Sequence, residues 1–396
     1  MASDEGGDII IQSVGAIDDI APADWDRIAC PDPTCANPFV RHAFLSALEQ
    51  SRSVCAEAGW DPHHLVAMQG DNLLGAIPVY AKGNSQGEYV FDHHWADAYH
   101  RAGGRYYPKL LCAVPFTPAT GPRLLSPNPE IRRALAHGLS QMADKFSVSS
   151  AHVNYIEDGD RDDLLEAGFL HRIGEQYHWF NDSYESFDDF LAALSSRKRK
   201  AIRRERREAI KDVEIKHHRG DEITEQHWDA FWRFYQDTGA RKWGTPYLTR
   251  SFFSQIAETM GEDLLLICAE SNGRTIAGAL NFIGGDALYG RYWGCVEDVP
   301  FLHFEICYYQ AIDFAIAAKL SRVEAGAQGD HKIARGYQPV ATHSAHYLAD
   351  PSFRMAIQNY LESERDHTNM ELKALESFMP FRKTSNDKSD RNDDPS

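Results

Sequence analysis

The chain has no long apolar run: none of its hydrophobic stretches approaches the roughly 18 residues that a membrane-spanning helix needs, and Leu264–Ala269 is among the longest. Its first eight residues are acidic and lack the basic start and apolar stretch of a secretory signal. Cysteine is sparse and unpatterned. The seven residues (Cys30, Cys35, Cys55, Cys112, Cys268, Cys295, Cys307) are odd in number and include no Cys-x-x-Cys pair. That spacing argues against a disulfide framework or a zinc ribbon, and points to reduced thiols in the cytoplasm. Positive charge is also short, with 41 Lys and Arg against 58 Asp and Glu, a net of −17. Such a body repels phosphates and suits broad nucleic-acid contact poorly.

What is present points to a soluble globular protein. At 396 residues, with 43% hydrophobic and 25% charged residues, the chain is long enough for two domains of roughly 150–200 residues each. Two stretches read as one motif written twice, 203 residues apart. They are Gly70-Asp71-Asn72-Leu73-Leu74-Gly75-Ala76-Ile77 and Gly273-Arg274-Thr275-Ile276-Ala277-Gly278-Ala279-Leu280. Each sits between an apolar run and a β-rich one. That is a β-hairpin signal, strongest at Asn272-Gly273, where a tight turn wants φ > 0. A second echo, Glu166-Ala167-Gly168-Phe169 against Ala334-Arg335-Gly336-Tyr337, extends the doubling to two copies of one α+β unit, with a cleft between or beside them.

The pattern predicts a first domain over 9–182 and a second over 183–382, between disordered ends at 1–8 and 383–396, which have almost nothing to bury. In the first it predicts a helix near 38–50, the hairpin at 64–80, a third strand near 88–91, a helix over 129–145, and strands near 151–156 and 176–180. In the second, Ser186 followed by Phe187-Asp188-Asp189 marks a helix start. A basic helix over 195–211, a helix at 225–240, and strands at 264–270, 275–283 and 287–293 come next. Glu305–Leu320 reads as a long buried helix, and 322–325 as a strand. The basic stretch is an island. From Arg197 to Lys211 nine basic and two acidic residues give +7, leaving about −24 for the remainder.

This order of elements resembles the GNAT acyltransferase fold, here written twice as in the Fem-type peptidyltransferases. Several runs look like the FemAB-like "peptidoglycan biosynthesis/recognition" group: Val114-Pro115-Phe116-Thr117-Pro118-Ala119-Thr120-Gly121-Pro122-Arg123-Leu124-Leu125, Arg291-Tyr292-Trp293-Gly294-Cys295, and Leu302-His303-Phe304-Glu305-Ile306-Cys307-Tyr308-Tyr309-Gln310. Others are Glu324-Ala325-Gly326-Ala327-Gln328-Gly329-Asp330-His331-Lys332, Arg335-Gly336-Tyr337 and Thr342-His343-Ser344-Ala345-His346. The resemblance implies an α+β protein of two tandem GNAT-like domains, each a mixed, mostly antiparallel sheet flanked by helices. It implies an N-acyltransferase or aminoacyltransferase acting on an amine, with a small molecule, a peptidoglycan precursor or a lipid-linked molecule as acceptor. No tightly bound cofactor is implied; acyl-CoA or aminoacyl-tRNA would be a co-substrate, and peripheral membrane contact and the oligomeric state stay open. The alternatives are an acyl-CoA-dependent N-acetyltransferase on a small amine, or a non-catalytic protein that recognises a cell-wall precursor. The chain departs from acetyl-CoA-binding GNATs in one respect. No segment matches their Arg/Gln-x-x-Gly-x-Gly/Ala pyrophosphate loop, and the nearest candidate, Thr117–Arg123, has prolines at 118 and 122 that remove donors.

Acyl transfer to an amine needs a base, a reachable carbonyl and fixed N–H donors for the oxyanion. The ends of strands 287–293 and 322–326 are the first place to look for them. Glu305 and His331 are the candidate bases: a helix-start acid whose pKa burial would raise, and an imidazole that titrates near neutral pH. Trp293, His303, Tyr308, Gln328, Lys332, Arg335, Thr120 and Arg123 are candidate substrate contacts. Arg199, Arg203 and Arg206 are candidate phosphate contacts for a tRNA, a nucleotide-linked precursor or an anionic lipid surface. A solvated helix balancing an acidic body is the plainer reading of that stretch. Cys295 and Cys307 read as packing rather than acyl carriers. His343 and His346 lack ligand-like partners, and no metal site is expected.

Overall fold

The structure, a computed structural model, describes residues 8–32, 34, 36–242, 246–326 and 329–382. The expectations for 1–7, 383–396 and Gln328 lie outside the described residues. The first half of the chain supplies strands β1 (Ile9–Val14), β2 (Trp60–Pro62), β3 (His64–Gln69), β4 (Asn72–Ile77), β5 (Val79–Lys82), β6 (Lys109–Cys112), β7 (Ser150–Ile156) and β8 (Leu170–Phe180). The second supplies β9 (Glu214–His218), β10 (Leu264–Ser271), β11 (Arg274–Gly284), β12 (Ala287–Cys295), β13 (Arg322–Glu324) and β14 (Gln338–Leu348).

Both echoed motifs are hairpins. β3 and β4 turn at Gly70, and β10 and β11 at Asn272-Gly273, with positive φ at all three residues. Each hairpin carries a one-residue bulge, at Leu74 and at Ile276. Helix Pro129–Lys145 falls where its pattern put it, begun by the Asn128 side chain accepting from the Glu130 N–H. Ser186 caps the Phe187–Ala193 helix in the same way, through the Asp189 N–H.

The third strand of the first meander is Val79–Lys82, not the 88–91 segment that the sequence suggested. Tyr89 has φ 60, which breaks an extended backbone. The adjacent Glu88 is pulled inward by the buried Lys109 ammonium, 2.7 Å away.

The two halves share one sheet. Its eleven strands run β2-β5-β6-β7-β14-β8-β13-β12-β11-β10-β9, and β1-β3-β4 form a second, three-stranded sheet. β14, from the second half, pairs antiparallel with β7 and β8, and β8, from the first half, pairs antiparallel with β13. The parallel pairs β6–β7 and β12–β13 flank this centre symmetrically. The fold is thus a tandem α+β GNAT arrangement whose halves exchange their last strands, so the sheet continues across residues 182–183.

The core follows the same logic. Phe39 from the first half packs at 5.2 Å on Phe44, and at 5.1 Å on both Phe282 and Tyr289 of the second. Each such ring is worth about 1.5–3 kcal/mol of burial. The C-terminal helix Pro351–Glu376 lies across β8 and β14, fixed by Ile357, Leu361 and an Arg172–Glu364 ion pair of 2.8 Å.

Candidate active site at the strand splay

β12 and β13 are paired only over Ala287–Tyr289 and Arg322–Glu324, and then diverge. On its other side β12 bulges. Asn281 faces Gly290 and Leu280 faces Tyr292, which leaves Arg291 as the extra residue. The edge of β12 that faces the gap therefore has backbone groups not used by the β12–β13 ladder, as an oxyanion needs.

A cavity of about 140 Å³ fills the gap, walled by Asn281, Arg291, Trp293, His303, Cys307, Tyr308 and Ala325. The helix that covers it runs from Leu302, with a π turn at Glu305–Tyr309 before continuing over Gln310–Ala317. π turns are uncommon and concentrate at functional sites.

Buried Tyr308 links this cavity to solvent. Its hydroxyl is 3.0 Å from Nε2 of His331, an exposed residue on the short helix Asp330–Arg335. Burial raises the Tyr308 phenol, so it stays protonated at neutral pH. Aromatic rings surround the imidazole: Phe304 at 5.5 Å and His303 at 6.2 Å, with Trp293 5.1 Å from His303. Gly329, with φ 110, makes the turn before His331, and a Cβ there would lie 2.3 Å from the imidazole ring. Next to it, buried Lys332 donates to the carbonyls of Ala325 (2.6 Å) and Gly326 (3.0 Å). Burial pulls its ammonium down to about 8.

Several expected site residues lie elsewhere. Glu305 does not reach the cavity. It is fully buried, and its carboxylate accepts from Arg206 (3.0 Å) and Gln310 (2.7 Å), so it serves as one half of an ion pair rather than as a base. Arg206 is thereby consumed as a phosphate contact, since it also holds Asp313 at 2.6 Å. Arg203 pairs with Asp188 at 2.8 Å, while half-buried Arg199 has no ion pair among the described residues. Arg335 pairs with Glu205 at 2.9 Å, stacks 3.4 Å over Phe304 and donates to the His331 carbonyl, so it braces the site from behind.

Thr120 and Arg123 belong to the matching place in the first half, and there the gap is filled by the chain itself. β6 and β7 part after Cys112 and Val153. The Gly121 N–H then donates to the Tyr155 carbonyl. The Arg123 guanidinium, fully buried, donates to the carbonyls of Asn154 (3.0 Å), Ala119 (2.7 Å) and Pro122 (3.0 Å). Asp160, pushed up to about 7 by burial, accepts from the backbone N–H groups of Arg123 and Leu124. The Thr120 carbonyl accepts from Asn37. This segment is a plug and offers no anion site.

Sequence reasoning missed Arg291 and Asn281 as cavity residues. A glycine, two aromatics and another glycine inside a strand, Gly290 to Gly294, is the signal of a bulge and was available. His343 and His346 pair across strands, at 3.0 Å with His171 and 2.7 Å with His152. No cluster of three or more metal-ligating residues occurs among the described residues. No described helix is long and apolar enough to cross a membrane.

A doubled GNAT unit with an open splay in its second copy defines the class. The chain belongs to the FemAB-like family, described as peptidoglycan biosynthesis/recognition, whose profile matches residues 16–383. The crystal structure of FemX superposes with a TM-score of 0.54 at 13% identity, covering 86% of this chain and 98% of that one. A conserved protein of unknown function from Bacteroides thetaiotaomicron gives 0.51 at 15% identity, covering 85% and 99%. No curated protein matches significantly.

Proposed function

We propose that the chain transfers an acyl or aminoacyl group to an amine in the β12–β13 splay, on a peptidoglycan-related acceptor as its family description suggests. The observation that carries this reading is the Tyr308–His331 hydrogen bond, which runs from the cavity wall to solvent. The amine attacks the donor carbonyl and loses a proton, which Tyr308 takes up as it passes its own to His331. The carbonyl becomes a tetrahedral oxyanion against the free edge of β12. Collapse expels the leaving group, which regains the proton, and an amide remains.

The donor reading favours an aminoacyl ester over acyl-CoA. Between β12 and the helix starting at Leu302 the chain carries Glu297, Asp298 and Pro300, where a pyrophosphate would need free N–H groups and no negative charge. The first-half loop over Thr117–Arg123 spends its Gly121 and Arg123 N–H groups internally. The basic helix Ser196–Ala209 packs on the elements that carry Tyr308 and His331. Its exposed Arg197, Lys200, Arg204 and Arg207, followed by Lys211, are spaced three and four apart and form no ion pair among the described residues. They make one cationic stripe of about 20 Å, suited to the backbone of a tRNA donor.

The test is incubation of the full chain with wall-precursor extract plus either an aminoacyl-tRNA pool or acyl-CoA thioesters, followed by mass spectrometry. An aminoacyl mass gain only with tRNA, lost with His331→Ala, is the expected result. A gain only with CoA thioesters moves the donor. No gain with either, alongside tight precursor binding, makes the protein a recognition module.

A further inference from the structure

Two cations lie at and behind the transfer cavity without an ion pair within 4 Å among the described residues. Arg291 lines it from the β12 bulge. Its guanidinium donates to the Phe116 carbonyl and also interacts with the Tyr292 hydroxyl, while its buried Nε–H has no acceptor among the described residues. The planar guanidinium is held between Phe39 and Tyr292, with ring centroids 6.0 and 5.2 Å away. The buried Glu324 lies within its electrostatic reach but makes no ion pair with it within 4 Å among the described residues; its Oε1 accepts from Arg322 at 3.0 Å instead. Lys332 does not line the cavity but lies one layer behind it, close to the lining residue Cys307, with its ammonium on the carbonyls of the lining residue Ala325 and of Gly326. Lys332 is buried and Arg291 half-buried, in a chain of net charge −17 that has acids to spare. Buried polar groups are normally hydrogen-bonded, so a charged donor left without an acceptor beside a cavity calls for one from the ligand.

The backbone around Arg291 is strained toward the same end. Among the described residues nine non-glycine residues have positive φ, and the four aromatic ones are Tyr89, Phe116, Tyr155 and Phe301. Phe116 receives the Arg291 hydrogen bond, Tyr89 and Tyr155 lie within its electrostatic reach, and Phe301 starts the helix that roofs the cavity. Left-handed aromatic residues are costly, and they persist where a site over-determines them.

We propose that Arg291 and Lys332 read an oxyanion on the acceptor, so that the amine accepted here carries a carboxylate or phosphate a few bonds from its nucleophilic nitrogen. This rests on the transfer reading and adds to it a substrate class: a zwitterionic amine rather than a plain one. A cavity of about 140 Å³ admits such a headgroup and excludes a nucleotide. The guanidinium fork and the ammonium then fix the amine toward the Tyr308 hydroxyl.

The test is binding to the full chain, read by ligand-observed NMR, with two matched pairs of probes. Lysine is compared with cadaverine, which lacks only the carboxylate, and phosphoethanolamine with ethanolamine. At least one oxyanion-bearing member should bind about tenfold or more tightly than its partner. Which pair shows the gap tells carboxylate from phosphate. Arg291→Gln should erase the gap and Arg291→Lys should keep part of it, with unchanged circular dichroism. Equal binding within both pairs, or a gap that survives Arg291→Gln, overturns the proposal. If Arg291→Gln does not fold, Arg291→Lys decides, and an undiminished gap there counts against it. The readout is independent of turnover. An Arg291-dependent gap with no transfer ever found would sink the transfer reading alone, and transfer indifferent to Arg291 would sink this one alone.

Discussion

The two splays of this molecule are built on the same strand pairing and differ in what occupies them. Between β6 and β7 the chain fills the gap with its own backbone and a fully buried arginine whose donors go to carbonyls. Between β12 and β13 the same gap is a cavity edged by Arg291, Trp293, His303 and Tyr308. A duplicated unit needs only one reactive crevice. The other copy can be converted into core, which ties the shared sheet together and leaves chemistry to its twin. A cation at each splay shows the difference plainly: Arg123 is saturated from within, whereas Arg291 has a buried Nε–H still without an acceptor.

That contrast can be broken in graded ways. The largest effect is expected from the second splay: His331→Ala, or Tyr308→Phe, should lower kcat/KM by about 10²–10⁴ in the transfer assay while leaving the melting temperature nearly unchanged. At the first splay the sign reverses. Arg123→Met strands buried carbonyl acceptors and should cost about 3 kcal/mol in denaturant unfolding, with the rate per folded molecule intact. Glu305→Gln sits between the two. It weakens a buried ion pair and should cost about 2 kcal/mol of stability with only a few-fold change in rate; a thousandfold loss of rate at full stability would restore Glu305 as the base.

The smallest effect is a pH slope. Lys332 is held at about 8, below its unfolded value, so its protonated form is disfavoured in the fold. That penalty is present below pH 8 and is relieved as pH rises from about 8 toward the unfolded lysine value of roughly 10.4, so this group makes stability rise over that window. Tyr177 and Cys307 face the ammonium. Lys332→Met should remove the rise, measured as unfolding free energy against pH. Oxyanion binding should run the other way and weaken above pH 8.

Much of the fold was legible because it is locally encoded. Gly70, Asn272-Gly273 and Ser186 state their turns and cap within a few residues, and these, like the helix starting at Pro129, appear where expected. The exchanged strands were not legible, because no local signal tells β8 to seek β13 rather than remain with its own half. Glu305 misled for a similar reason. Its burial was anticipated, but Arg206, 99 residues earlier, decides whether a buried carboxylate is a base or a partner. Arg123 misled because a basic residue after Thr-Gly reads as an anion contact, until long-range packing turns the Asn154 and Ala119 carbonyls on it. His331, Lys332, Tyr308, His303 and Trp293 do converge on one place, since the long helix and the turn after β13 are both set by local pattern.

The division of labour between the splays is tested most directly in a strain lacking this chain, by untargeted mass spectrometry of wall fragments and precursors. The product is defined as a mass that wild type restores and the empty strain lacks. Complementation with Asp160→Asn, which touches only the plug of the first splay, should restore that mass. Complementation with His331→Ala, at equal protein abundance, should not. Restoration by His331→Ala together with failure of Asp160→Asn would place the chemistry in the first half and contradict the account.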